Sequence, residues 1–336
     1  MSETSIQLET VSWRRELARA IRDPAVLLSR LELPENLLGD ARRASGDFSL
    51  MVTESFLSRM VVGDVNDPLL RQVLPALAEM SGGESGIEIT TDAVGDQAAT
   101  RAPGLIHKYQ GRALLIVTGA CGINCRYCFR RHYPYSEAPK SWTDWKPAFD
   151  VLRDDSSIEE IILSGGDPLM LPDARFAELV EILEGIPHLK RLRVHSRLPI
   201  VLPSRVNESL LATLTSSRLQ AMVVVHANHP NELDIETQNA LKKLVSSGVP
   251  TLNQCVLLKG INDDVESLSA LCSKLVNVGV MPYYMSQLDR VAGVGHFEVP
   301  VETGRHLIKE LRTRLPGYAV PQYVQELPGE PHKLPL

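Results

Sequence analysis

Three of the chain's five cysteines fall within eight residues, Cys121, Cys125 and Cys128, in the stretch TGACGINCRYCFRRHYPY. A structural zinc site is closed by four protein ligands, so this C-x3-C-x2-C set would need a distant fourth, for which His132, Cys255 and Cys272 are the candidates. Three thiolates can instead hold a cubane iron–sulfur cluster and leave one iron open. An odd number of cysteines, bunched this way, argues against a disulfide framework and for a metal or catalytic role in a reducing compartment. Arg126, Arg130, Arg131 and His132 add a local basic cluster, suited to a small anionic ligand.

These residues need elements to position them. Residues 1 to about 100 read as helical and irregular, with apolar residues at three- and four-residue steps in WRRELARAIRD, PAVLLSRLEL and DPLLRQVLPALAEM. From about residue 112 short apolar runs take over: ALLIVTG, EEIILSGG, LRVHSR, AMVVVHAN, LNQCVLL and VMPYYMS. Amphipathic helices are expected near 142–154, 174–185, 205–217, 232–246, 263–279 and 301–314. Strands separated by helices indicate a parallel sheet. Six such units fit an incomplete barrel of βα repeats, with a doubly wound open sheet as the competing arrangement. In either case a site forms at the C-terminal ends of the strands. Chemically specific residues stand there: Cys121, Ser164-Gly165-Gly166-Asp167, His195-Ser196-Arg197, His226-Ala227-Asn228 and Ser286-Gln287-Leu288-Asp289, with Gln254 inside its run.

Bulk properties exclude other classes. With 336 residues, 44% of them hydrophobic, the chain can bury a sizeable core. A net charge of −6 and a pI near 5.9 offer no clustered basic face for nucleic acid. No apolar signal core opens the chain, and no run approaches the ~18 apolar residues of a membrane span. A cytoplasmic protein is expected.

An open iron can be chelated by a small molecule carrying an amine and a carboxylate, as the methionine end of S-adenosylmethionine does. An electron from the cluster can then break the sulfonium C–S bond and release a 5′-deoxyadenosyl radical. The cysteine loop after the first barrel strand, with Tyr127 just before the third cysteine, resembles the radical S-adenosylmethionine (SAM) superfamily. Ser164-Gly165-Gly166-Asp167 resembles that superfamily's glycine-rich element, whose backbone meets the methionine amine; glycine permits the close approach. The segments HKYQGRALL, CGINCRYCFRRHYPY, LSGGDPLML, RLRVHSRLPIVLPSRV, VVVHANHPNEL, NQCVLLKGIND, MPYYMSQLD and GHFEVP are similar, in order and spacing, to the lysine 2,3-aminomutase family. The length and the Pro-Gly-Glu-Pro-His-Lys ending look most like its bacterial β-lysine-forming branch, which serves modification of elongation factor P.

The resemblance implies a [4Fe-4S] cluster on Cys121, Cys125 and Cys128, together with SAM and pyridoxal 5′-phosphate (PLP). The family's PLP lysine follows a Gly/Pro-rich turn and falls on Lys333, with the phosphate-binding region on Lys108, Tyr109 and Arg112. SAM contacts fall on Gly165, Gly166, Asp167, His226 and Gln254, with Tyr127 near the adenine. The substrate carboxylate falls to the guanidinium of Arg130, and its side-chain ammonium to Asp289 and Glu326. Glu326 departs from the family's aspartate by one extra methylene. Longer members carry zinc-binding cysteines past the lysine. Here no structural zinc and a different, lower oligomeric state are expected, with Cys255 and Cys272 as core thiols.

The implied fold is α/β: an incomplete (β/α)6 radical SAM barrel at 101–315, an N-terminal helical extension at 1–100, and a C-terminal closing segment at 316–336 bearing Lys333. The implied reaction converts (S)-α-lysine to (R)-β-lysine. The deoxyadenosyl radical takes hydrogen from C3 while PLP holds the migrating amine as an imine. A reductant such as flavodoxin or ferredoxin and a functional link to elongation factor P and its ligase are the implied partners. Two other readings stay open: a radical enzyme acting on another amino acid, and a non-catalytic iron–sulfur or zinc scaffold.

Overall fold

The six apolar runs become six consecutive parallel strands, each followed by a helix. The computed structural model describes residues 13–46, 48–80 and 90–336. The parallel strands are β3 (Arg112–Thr118), β4 (Glu160–Gly165), β5 (Arg191–Ser196), β6 (Gln220–Val225), β7 (Thr251–Val256) and β8 (Met281–Ser286). The helices between and after them are Trp142–Asp154, Asp173–Glu184, Glu208–Ser216, Ile235–Ser246, Val265–Val276 and Val301–Arg314. Short polar residues start several of them: Ser141 forms a capping box with Asp144, and Asn207, Asp234 and Asp264 accept from first-turn amides.

A seventh parallel strand, β9 (Gln322–Gln325), pairs with β8 inside the segment expected to close the barrel. The edges are antiparallel: β1 (Thr100–Ala102) and β2 (Leu105–Tyr109) precede β3, and β10 (Leu334–Pro335) follows β9. Strand order equals chain order across the whole sheet. A doubly wound sheet would reverse at a switch point; this one curls in a single sense and stays open, as a partial barrel does.

Alternation decides what each face does. In β5, Leu192, Val194 and Ser196 are buried outward, whereas Arg193 and His195 face a cavity of about 840 Å³. In β4, Ile161 and Leu163 are buried outward, while Glu160, Ile162 and Ser164 line the same cavity. The barrel interior is therefore not an apolar core, although the runs read as continuously apolar.

The N-terminal region differs in detail from its periodicity. Residues 13–18, Pro24–Arg30, Leu37–Ala44 and Glu54–Leu57 are helical. DPLLRQVLPALAEM, expected as a helix, forms two 3₁₀ turns, Leu70–Gln72 and Leu77–Met80. Pro75 lies between them and turns its predecessor out of the helical region. The β1–β2 hairpin also escaped the periodic reading, because its strands have only three and five residues.

The N-terminal residues share one hydrophobic core with the barrel, from Trp13, Leu27 and Phe56 to Leu163, Leu192 and Leu241. Polar clasps reinforce the seam. Buried Arg205 sits over the Trp13 ring at 4.8 Å, pairs with Asp173 at 2.8 Å and donates to the Leu169 carbonyl at 2.6 Å. Removing one member of a buried, hydrogen-bonded pair costs about 3–5 kcal/mol. Arg205→Ala is expected to lose stability of that order in urea unfolding followed by circular dichroism; a loss below ~1 kcal/mol would mean the clasp contributes little.

Candidate active site

The loop after β3 brings Cys121, Cys125 and Cys128 to the wall of the cavity. It is held from the N-terminal side. The Arg126 amide donates to the Gln72 carbonyl at 2.8 Å, and the Asn124 amide to the Met51 carbonyl at 3.0 Å. Arg126 forks onto Glu79 at 2.9 and 2.6 Å, and Arg131 joins the same carboxylate at 2.8 Å. Here the structure corrects the sequence reading. Of the basic cluster, Arg126 and Arg131 share the one carboxylate of Glu79 and His132 contacts the Ala292 carbonyl, so these three are engaged by protein partners and the cluster is not an anion site as a whole.

Burial, together with the neighbouring sulfurs, pushes the Cys121 thiol well up and the Cys128 thiol to about 11. Iron binds the thiolate, so the loop needs positive charge beside it. Buried Arg197 supplies it, donating to Cys125 Sγ at 2.7 Å and to the Tyr127 hydroxyl. Its other amine reaches Gln72 at 2.7 Å and Glu232 at 3.1 Å. Asn228 also donates to the Tyr127 hydroxyl, at 2.7 Å, and the Tyr127 ring stands edge-on to Phe297.

The glycine pair at the end of β4 is pressed against that loop. A Cβ on Gly166 would lie 2.3 Å from the Ala120 carbonyl oxygen, and one on Gly165, at φ +129°, 2.5 Å from that of Thr118. The Gly166 and Asp167 amides donate to these two carbonyls at 2.7 and 2.8 Å. Asp167 lines the cavity, yet its carboxylate accepts from Ser196 Oγ and from the amides of Leu169, Arg197 and Leu198 at 2.7–3.1 Å. It ties the β4 and β5 ends together.

A chain of ion pairs borders the same cavity. Arg130 donates through Nε to Asp96 at 2.7 Å and through Nη1 to Ser164 at 3.0 Å. Lys108 contacts Asp96 at 2.6 Å and Glu326 at 3.0 Å, and Glu326 also accepts from Lys333. Burial would raise both carboxyls, but the cations outweigh it: Arg130 and Lys108 hold Asp96 near 2, and Lys333 and Lys108 hold Glu326 near 2. Asp289 makes no ion pair among the described residues, and burial lifts it to about 7 against the pull of Lys333.

The remaining expected residues also line the cavity. Arg112 stacks over the Tyr109 ring at 4.6 Å, and Gln254 reaches Ser286 at 3.4 Å. His226 meets His195 at 3.4 Å. Burial lowers His226 to about 4 and holds His195 well below its ordinary value, so both are neutral near pH 7. Every residue that the resemblance assigned to a cofactor or to the substrate therefore borders one cavity, whereas Ser196, Ala227, Asn228 and Gln287 at the strand ends do not. Asp96, Glu79, Gln72 and Glu232 were not singled out, and nothing in their local sequence marks them. Cys255 and Cys272 are buried core thiols that do not line the cavity, and neither does His132. Among the described residues, no three His, Cys, Asp or Glu side chains are placed to hold a single metal ion.

The radical SAM superfamily profile matches residues 115–272. The chain is 42% identical over 325 residues to L-lysine 2,3-aminomutase of Haemophilus influenzae, covering 97% of this chain and 95% of that one. It is 44% identical to L-lysine 2,3-aminomutase of Escherichia coli, covering 96% and 94%. To that of Clostridium subterminale it is 33% identical, covering 96% of this chain and 77% of the other. Fold, cysteine loop and these matches define a radical SAM protein. Within that class, the chain belongs to the L-lysine 2,3-aminomutase family, whose members are isomerases. Membership implies a [4Fe-4S] cluster and SAM. The residues fit both: three thiols share one loop beside a buried cation, and the glycine element adjoins them. Among the described residues, no helix is long and apolar enough to cross a membrane.

The pocket beside Asp289 is also bordered by Lys333, Glu326, Lys108 and Arg130. Asp289 is ionised above its pKa and neutral below it. Affinity for a primary ammonium ligand is therefore expected to fall as pH drops through about 7, by at most about tenfold per unit. Calorimetry with L-lysine across pH 6–8.5 measures this, and Asp289→Asn should flatten the profile.

Proposed function

We propose that this chain is a PLP-dependent lysine 2,3-aminomutase that converts free (S)-α-lysine to (R)-β-lysine. The product supplies modification of elongation factor P in the cytoplasm, with a flavodoxin or ferredoxin as reductant. The observation that carries the reading is the arrangement of one cavity. Cys121, Cys125 and Cys128 line it together with Lys333, Glu326, Asp289 and Arg130. When bound, the cluster with SAM supplies hydrogen abstraction, and PLP supplies the π system through which nitrogen migrates.

This chain's own residues do the rest. Cys121, Cys125 and Cys128 hold the cluster, with Arg197 compensating the charge of Cys125. Gly165, Gly166, His226 and Gln254 border the SAM site, and the neutral imidazole of His226 can accept a hydrogen bond there. Tyr127 and Asp167 act one step back, holding the loops that form that site. Arg112, stacked on the Tyr109 ring, offers a cation to a phosphate, the Tyr109 hydroxyl being hydrogen-bonded to Glu326, and Lys333 offers the amine to which PLP attaches. Arg130 keeps its Nη2 unpartnered among the described residues, open to a carboxylate. Glu326 already accepts an ammonium on a four-carbon stem, that of Lys333, which is the group a lysine substrate presents. Once Lys333 is committed to the cofactor, Glu326 Oε2 and Asp289 are open to that ammonium, while Lys108 keeps Oε1. The cavity walls orient the bound groups and limit the water that reaches a radical.

Anaerobic reconstitution is expected to give about four irons per chain and reductive cleavage of SAM. Incubation with labelled free lysine and a strong reductant should give β-lysine by NMR. Cys125→Ala should lose iron and turnover together. Lys333→Ala should keep iron but lose the PLP absorbance near roughly 420 nm. β-Lysine formation by a Lys333→Ala protein, or a zinc centre in place of iron, would overturn the reading.

A further inference from the structure

Two residues link opposite ends of the proposed substrate site. Asp96, whose side chain is 3% exposed, accepts from Arg130 Nε at 2.7 Å with one oxygen and forms an ion pair with the Lys108 ammonium at 2.6 Å through the other. Lys108 passes the constraint to Glu326 Oε1 at 3.0 Å. The links run in series, and each inner member is paired on both sides. Arg130 and Glu326 are the groups that would grip the carboxylate and the side-chain ammonium of the amino acid. We infer that Asp96 and Lys108 are positioning residues that fix the separation between the Arg130 guanidinium and the Glu326 carboxylate, and so select the length of the substrate side chain. This rests on the function proposed above and adds a specificity device to it.

The extra methylene of Glu326 is what makes the device necessary. A glutamate has one more rotatable bond than an aspartate, so its carboxylate sweeps a wider arc unless something holds it. Lys108 occupies Oε1 and leaves Oε2, the oxygen that faces Lys333, for an ammonium in the cavity. The same geometry moves Lys108 away from the phosphate role expected from resemblance. A phosphate against its ammonium would meet two carboxylates already within hydrogen-bonding distance of that nitrogen. Arg112, which makes no ion pair among the described residues, meets no such repulsion.

The test compares L-lysine with L-ornithine, one methylene shorter, on the reconstituted holoenzyme. In Lys108→Met the preference for lysine, as a ratio of kcat/KM values, should fall about tenfold, mainly through a higher KM for lysine. PLP bound per chain should stay at the wild-type level, and Lys108→Arg should recover most of the preference. Asp96→Asn, which keeps the shape and removes the charge, gives a second variant with the same expected direction should Lys108→Met fail to fold. An unchanged preference in a folded, cofactor-loaded variant overturns the inference. So does loss of PLP in step with loss of activity, which would make Lys108 a phosphate ligand. Calorimetric binding of the two amino acids to the loaded protein yields the same ratio without turnover. A wild-type protein that turns over neither amino acid thus overturns the proposed reaction, while the binding ratio still judges the positioning pair.

Discussion

Charge that borders a cavity but is largely shielded from water must be neutralised by the protein itself. Arg130, Asp96, Lys108, Glu326 and Lys333 answer that constraint by alternating in sign along one wall. An isolated member would pay a desolvation cost of several kcal/mol, and the pairing offsets it. The alternation also orients. Each inner side chain is fixed by two neighbours, so the groups facing the cavity are presented in a defined order before any ligand arrives.

The same constraint explains the cysteine loop. Thiols pushed upward by burial bind iron only where positive charge stands close, and Arg197 provides it at Cys125. Arg197 is held in turn by Glu232, Gln72 and, through its amide, Asp167. Asp167 belongs to the glycine-rich turn packed against the approach to Cys121, so one aspartate couples the cysteine loop and that turn. The N-terminal region serves the loop from the other side through Gln72 and Glu79. Its role is to build the wall, which is why it shares the barrel's core.

Much of this was legible beforehand because it is written in local patterns. Six apolar runs with intervening amphipathic helices mark six βα units, and the structure places strands and helices within a few residues of them. In LRVHSR the alternation of Leu192 and Val194 with Arg193 and His195 is visible, but in EEIILSGG the cavity-lining Ile162 is as apolar as the core residues Ile161 and Leu163, so that run could not report its inner face. Pro75 outweighed the helical period of its segment, and β1, β9 and β10 are too short for any period to register.

The site divides the same way. Cysteine spacing, the glycine pair and the strand-end polar residues are determined by sequence alone, because the chemistry they carry depends on residue type and separation along one loop. Resemblance extended that list to Lys333, Arg130, Asp289 and Glu326. Only the tertiary structure decided which charges meet. Asp96 lies 34 residues from Arg130, and Lys108 lies 218 from Glu326. It also decided that Lys108 stands between two carboxylates and that Arg126 and Arg131 are consumed by Glu79. Partners so far apart in the chain are chosen by how the sheet curls and which side chains it leaves without water, and no local pattern encodes that.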